Sequence, residues 1–174
     1  MSERGKEGLA GGSADASGRG PGEALRAFVV ESNRIEGIIR QPTQEEIHAH
    51  IAFVSLQRVT QLALEGFVDV VAGEQLRSRK GMNVRVGSHL PIPGGRAVPA
   101  ELREILIALE EMQDGAVDYS PFEIHRRYEE LHPFMDGNGR SGRVLWAWHR
   151  KQVGRDPLAL GLPHSWYYES LEAG

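Results

Sequence analysis

At 174 residues, with a formal net charge of -4 and no cysteine, the chain suits one domain with a proper hydrophobic core. Disulfides, thiolate metal sites and a cysteine nucleophile are excluded, and the acidic balance argues against a broad nucleic-acid-binding surface. The apolar share of 40% and charged share of 25% are those of a soluble globular protein. No apolar run approaches the roughly 18 residues of a membrane span, and the N-terminus lacks the apolar core of a signal peptide. The expectation is a cytoplasmic protein with no membrane and no nucleic-acid partner, in a compartment where ATP is available.

Residues 1–22 are rich in Gly, Ser and Ala and nearly free of large apolar side chains. Such a segment cannot offset the entropy of ordering, so it reads as a disordered tail ahead of one domain, 23–174. Leu25, Phe28, Val29 and Ile35 fall on one helical face, and Gly37 is a natural stop. Ser32 and Glu36 lie at the C-terminal end of that helix, about 23–37, where the macrodipole disfavours a carboxylate. Thr43-Gln44-Glu45-Glu46 has the form of a capping box. It predicts a long helix burying Ile47, Ile51, Val54, Val59 and Leu62, with a turn near Glu65-Gly66. The short apolar run Phe67–Ala72 is read as helix from its neighbours.

Between Gly81 and Val98 the pattern changes. Val84, Val86, Leu90 and Ile92 sit in short extended runs, broken by Pro91, Pro93, Gly94 and Gly95. This predicts one irregular β-hairpin, packed on helices and keeping an unpaired edge. Pro99 starts a helix with Leu102, Ile105, Leu106, Leu109 and Met112 on its apolar stripe, ended by Asp114-Gly115. Ser120-Pro121-Phe122-Glu123 is a second capping box, whose helix runs through Ile124, Tyr128 and Leu131 to His132. Val144–Trp148 is apolar on nearly all sides, as in a central buried helix. Gly154–Pro163 reads as a loop and Ser165–Glu172 as a closing helix. The predicted fold is mainly α with one hairpin.

The densest chemistry lies between the last two long helices, in His132-Pro133-Phe134-Met135-Asp136-Gly137-Asn138-Gly139-Arg140-Ser141-Gly142-Arg143. A polar turn and a phosphate-binding loop are the competing readings. Gly137 and Gly139 permit backbone angles closed to other residues, so successive amides can form an anion nest at a helix N-terminus. Arg140 and Arg143 in the first turn of that helix are unfavourable unless an anion lies between them and the amides. That conflict favours a polyphosphate ligand. The Gly-x-Gly-x-x-Gly spacing from Gly137 to Gly142 is discounted as a dinucleotide fingerprint, because a capped helix and not a strand precedes it. Asp136 is a hard oxygen donor suited to Mg²⁺ on phosphates, and His132 has a proton affinity suited to a general base. His125, with His132 and Asp136, offers a weaker transition-metal reading. Trp146, Trp148, His48, His50, His149 and His164 read as core or surface residues.

His132 through Arg143 resembles the Fic-domain signature His-Pro-Phe-x-Asp-Gly-Asn-Gly-Arg-x-x-Arg, with every fixed position filled. The resemblance spans roughly residues 23–172. It implies a Fic-type helical bundle with one short β-hairpin flap, and transfer of AMP from ATP to a Ser, Thr or Tyr hydroxyl of a target protein with release of pyrophosphate. By the resemblance, His132 deprotonates the target hydroxyl and Asp136 binds Mg²⁺. Gly137, Asn138 and Gly139 hold the α- and β-phosphates, with Asn138 on the α-phosphate. Arg140 meets the β-phosphate, Arg143 the γ-phosphate, and Phe134 anchors the loop. A flap at about 82–93 would dock the target by strand addition. Related Doc-type kinases carry Lys in place of Gly139, which sets this chain apart from that branch.

Ser32-x-x-x-Glu36-Gly37 is similar to the family's inhibitory motif. It implies that Glu36 pairs with Arg143 and displaces the γ-phosphate. The pairing is independently sensible, since Arg143 in an empty nest needs an anion and Glu36 at a helix end needs a cation. Two other readings stand beside autoinhibited AMP transfer. One is a de-AMPylating hydrolase in which Glu36 orients water. The other is a non-catalytic nucleotide-binding interaction module.

Overall fold

The structure, a computed structural model, describes residues 21–113, 121–155 and 158. Six α-helices occur among them: α1 (Pro21–Ile35), α2 (Gln44–Val54), α3 (Gln61–Ala72), α4 (Ala97–Gln113), α5 (Pro121–Leu131) and α6 (Asn138–Gln152). α6 is the axis of the bundle and touches α1, α2, α3 and α5. Its Val144, Leu145, Ala147 and Trp148 are buried, and the Trp148 indole donates to the Leu56 carbonyl at 2.8 Å. Tyr128 and Ile124 of α5, Leu64 and Val68 of α3, and Leu102 of α4 complete the same core. Burial of these side chains stabilises each by about 1.5–3 kcal/mol, and the helices persist through that packing rather than through propensity.

α1 ends where Gly37 turns left-handed at φ 73°, and the Ile38 amide returns to the Asn33 carbonyl at 2.9 Å. The Thr43 capping box forms as expected. The Glu46 amide donates to Thr43 Oγ1 at 3.1 Å, and the Thr43 amide to Glu46 Oε2 at 2.7 Å. Arg40 closes on the same carboxylate with two bonds of 2.8 Å. Burial alone would raise the Glu46 pKa, but the Arg40 bonds and the Thr43 amide outweigh it and hold the carboxyl below its usual range.

The predicted long second helix is two helices. α2 stops at Val54, and α3 restarts behind Thr60, whose hydroxyl accepts the Ala63 amide at 3.1 Å. The face of α2 turned inward carries Glu46, His50, Phe53 and Val54, so Ile51 is left 46% exposed and Leu62 77% exposed. A polar cap inside an apolar pattern had more weight than the pattern. α3 also runs straight through the expected turn at Glu65-Gly66.

The expected β-hairpin flap is absent. No strand occurs among the described residues, and the segment 81–96 is a loop. Its sole bridge pairs Val86 with His89 around one tight turn, and no ladder follows. Pro91 and Pro93 supply no amide donors. The Met82 and Ile92 carbonyls bond to the Arg77 side chain instead of crossing to a partner strand. A target therefore has no flap strand on which to dock. Residues 1–20 of the expected tail 1–22, the stop at Asp114-Gly115, the Ser120 cap, the expected loop 154–163 apart from Gly154, Arg155 and Leu158, and the helix at 165–172 lie outside the described residues, while Pro21 and Gly22 open α1.

Candidate active site

The site is built where α5 hands over to α6. α5 ends at Leu131, and His132 then takes φ 49°, a left-handed conformation that non-glycine residues rarely adopt. Its amide still reaches back to the Tyr128 carbonyl at 3.0 Å. Its imidazole Nδ1 faces the Glu129 carbonyl at 3.3 Å. A carbonyl only accepts, so Nδ1 carries the proton and Nε2 presents the lone pair. Burial lowers the His132 pKa; the Glu129 carbonyl opposes this and the Arg77 cation adds to it. The ring is thereby kept neutral, the form a base requires.

The turn that follows is pinned to the scaffold. Phe134 is fully buried and pairs with Leu76. The Arg77 amide donates to the Pro133 carbonyl at 2.9 Å, and the Met135 amide to the Gln75 carbonyl at 3.1 Å. The Asn138 carboxamide straps the turn, accepting the Phe134 amide at 2.8 Å and donating to the Phe134 carbonyl at 2.9 Å. Asp136 is exposed, and one of its oxygens accepts the Gly137 amide at 2.6 Å.

Gly137 caps α6 at φ 77° with no side-chain hydrogen bond. A Cβ there would lie 2.8 Å from the Ala72 methyl, so both conformation and space demand glycine. Gly139 differs from the expectation. It is an ordinary residue of the first turn of α6, outside the positive-φ set. Glycine is required there by proximity: a Cβ would fall 2.2 Å from Glu36 Oε1 and 3.0 Å from Arg143 Nη1. The amides of Asn138, Gly139 and Arg140 open the helix, where no intrahelical acceptor exists, and they form a ready anion site.

Both arginines are buried. Arg140 donates through Nη1 to the Val71 carbonyl, while its Nε has no hydrogen-bond partner among the described residues. Arg143 is held by α1: its Nε donates to Ser32 Oγ at 2.9 Å, and its Nη2 to the Ser32 carbonyl at 2.9 Å and to Glu36 Oε1 at 2.6 Å. Glu36 thus meets the arginine expected from sequence as its partner, and Ser32 of the same motif bonds to it as well.

Underneath, the Tyr128 hydroxyl lies 2.7 Å from Ser141 Oγ, which donates on to the Gly137 carbonyl at 2.8 Å. His125 is buried, with Nδ1 3.0 Å from the Gly142 carbonyl, and does not join His132 in a metal centre. Among the described residues, no group of three or more His, Asp or Glu side chains is arranged to hold a metal. Asp136 alone fits Mg²⁺ in a different manner: a single exposed hard carboxylate beside an anion site, with the remaining ligands left to phosphate and water. Two residues were missed from sequence. Glu129 is largely buried beside His125, whose Nε2 lies 3.9 Å from its Oε1, an atom with no hydrogen-bond partner among the described residues, and desolvation pushes its carboxyl up to about 7. Arg77 is buried under His132. Neither position carries a signal beyond a charge in an ordinary helical or loop pattern.

The Fic/DOC family profile matches residues 45–149. The chain is 29% identical over 125 residues to "Protein adenylyltransferase Fic" of Drosophila mojavensis, covering 69% of this chain and 24% of that protein. It is 28% identical over 129 residues to the Aedes aegypti protein of the same name, with the same coverage. To the one from Drosophila persimilis it is 31% identical over 110 residues, covering 62% of this chain and 21% of that one. The chain therefore spans about a quarter of the length of the curated relatives it matches. No helix among the described residues is long and apolar enough to cross a membrane.

Proposed function

The chain belongs to the Fic/DOC family, and from that premise we propose that it is a protein adenylyltransferase, held off in its resting state, that moves AMP from ATP to a Ser, Thr or Tyr hydroxyl of a target protein and releases pyrophosphate. The observation that carries this reading is the 2.6 Å contact between Glu36 and Arg143 at the mouth of the α6 anion site.

His132, neutral with its lone pair on Nε2, takes the proton of the attacking hydroxyl. The open amides of Asn138 and Gly139 and the buried Arg140 stabilise the phosphate charge that shifts as the α–β bridge breaks. Asn138 contributes its backbone, because its carboxamide is already committed to Phe134. The exposed carboxylate of Asp136 would hold Mg²⁺, and a bound ion would supply positive charge beside the phosphates there. Arg143 takes the γ-phosphate once Glu36 leaves. Until then the Glu36 carboxylate occupies that place, and like charge repels the nucleotide tail. Ser32 and the Gly37 turn hold α1 in this blocking position.

Labelled ATP should modify the protein itself or a target when Glu36→Gly is introduced, and His132→Ala in that background should abolish the label. Absence of labelling by Glu36→Gly across candidate targets sinks the proposal. Removal of AMP from a modified protein by wild type, lost in Glu36→Gly, would assign the reverse reaction.

A further inference from the structure

Arg77, in the loop between α3 and α4, is fully buried. A buried cation is costly unless paired; burial lowers the Arg77 pKa, and among the described residues its guanidinium makes no ion pair with a carboxylate. Its guanidinium bonds run to backbone carbonyls. Nε donates to His132 O at 2.6 Å and Nη2 to Leu131 O at 2.8 Å, while Nη1 donates to Ile92 O at 2.9 Å and to Met82 O at 3.3 Å. Its own amide donates to the Pro133 carbonyl, and its carbonyl accepts the Gly95 amide at 3.0 Å.

These partners belong to two places. Leu131, His132 and Pro133 are the end of α5 and the strained turn that carries the base. Met82 and Ile92 are the two limbs of the loop 81–96. Carbonyls at a helix C-terminus lack intrahelical donors and carry partial negative charge, so a guanidinium there meets acceptors already oriented. Only a planar fork reaches several such acceptors at once; an ammonium does not. A left-handed non-glycine residue persists when its surroundings over-determine it, and at His132 the carbonyl is held by Arg77 Nε.

We propose that Arg77 is a positioning residue for proton abstraction: one buried guanidinium locks the His132 backbone and, through its other nitrogens, both limbs of the 81–96 loop, so that the base and the loop beside it are held as one unit. This rests on the reading of His132 as the base. The cation also disfavours protonation of the His132 ring, together with His89 of the loop; Glu36 of α1 and the Glu129 carbonyl act the other way. A mere loop staple would be a different device, and the loop has one. Asn83 Oδ1 accepts the Gly94 amide at 3.0 Å at the same neck.

The test uses the full chain with Glu36→Gly, comparing Arg77→Met, Arg77→Lys and Asn83→Ala. The measurements are ATP affinity by calorimetry, the single-turnover rate of AMP transfer, and the His132 ring titration by NMR. Arg77→Met should slow transfer about tenfold to a hundredfold at unchanged ATP affinity and move the His132 midpoint upward. Arg77→Lys should bring the midpoint back toward the parent without restoring the rate. Asn83→Ala should move neither. An unimpaired rate in Arg77→Met, or an equal rate loss in Asn83→Ala, overturns the proposal. Should Arg77→Met not fold, an unimpaired rate in Arg77→Lys overturns it instead. If no variant transfers AMP, the adenylyltransferase reading fails, and the His132 midpoint alone decides on Arg77: an unmoved midpoint overturns the coupling.

Discussion

Glu36 Oε1 lies 2.6 Å from Arg143 Nη2, joining a carboxylate whose side chain is 30% exposed to a guanidinium that is 1% exposed. The asymmetry matters. Arg143 cannot be left without an anion at low cost, whereas Glu36 can return to water. On the proposed reading the pair exchanges one anion for another, with the exposed Glu36 as the partner that leaves.

Ser32 holds the same arginine from two atoms, its hydroxyl and its carbonyl. Ser32→Ala removes only the hydroxyl bond to Nε, an interaction with a charged group worth about 1.5–3 kcal/mol. The expected outcome is partial relief of the block, with ATP affinity rising less than in Glu36→Gly. Calorimetric titration of the two variants side by side measures it. Equal affinity in Ser32→Ala and wild type would show that the hydroxyl does not hold α1 in place.

Gly139→Ala puts a methyl group where the Glu36 carboxylate now sits, 2.2 Å from Oε1. The neighbour that must give is the end of a flexible side chain, so the fold should survive and the ion pair should not. α1 should loosen: amide exchange over Glu31–Gly37 should quicken, while α4 stays protected. Unaltered exchange in α1 would mean that Glu36 finds a second route to Arg143.

Gly137→Ala is expected to act on stability. The left-handed φ of 77° and the 2.8 Å approach to Ala72 leave no room for the methyl group. Strain and overpacking together should cost about 1–3 kcal/mol, read as a lower midpoint in urea with unchanged slope. A loss of phosphate binding at full stability would contradict this account.

The pH dependence contains two opposing contributions. Burial raises the Glu129 carboxyl to about 7, with Arg143 opposing and Glu36 adding. Between 4.5, its ordinary value, and about 7 the folded state keeps a proton that the unfolded state has released. Stability from this group therefore falls as pH rises through that window. Burial lowers His50 and His149 to about 4 and His125 to about 3, so their contribution is complete above 6.5 and is lost as pH falls toward those values. Glu129→Gln should raise the thermal midpoint relative to wild type above pH ~7 and much less near pH ~4.5. A pH-independent difference would place the Glu129 carboxyl in its ordinary range. Glu36→Gly removes one of the charges that raise Glu129, so its midpoint should drop in that variant.

The stretch 132–143 is legible in sequence because its constraints are local. Gly137, Asp136 and Asn138 bond to neighbours a few residues away, and two arginines near a helix start, Arg140 in the first turn of α6 and Arg143 in the second, suggest an anion. The Glu36–Arg143 contact is legible for a related reason: each end carries an unmet charge at the wrong pole of a helix. The loop 81–96 is not legible. Its β-branched residues and prolines resemble a hairpin, but whether backbone groups pair across a loop or turn elsewhere depends on what else offers donors. Here Arg77 does. The break between α2 and α3 was hidden similarly, since Ile51 and Leu62 continue an apolar period that packing leaves in solvent.

By itself, then, the sequence determined the helical bundle, the candidate anion site at the start of α6, and the pairing of Glu36 with Arg143, because helix caps, dipoles and backbone freedom act over a few residues; the Ser32 bonds to Arg143 came from the structure. Tertiary structure alone decided that Gly139 is glycine for lack of space beside Glu36, that Glu129 is desolvated with a raised proton affinity, and that Arg77 grips the His132 turn. Each of these depends on the burial of one charge against groups far away in sequence, and desolvation is set by the assembled core rather than by any stretch of chain.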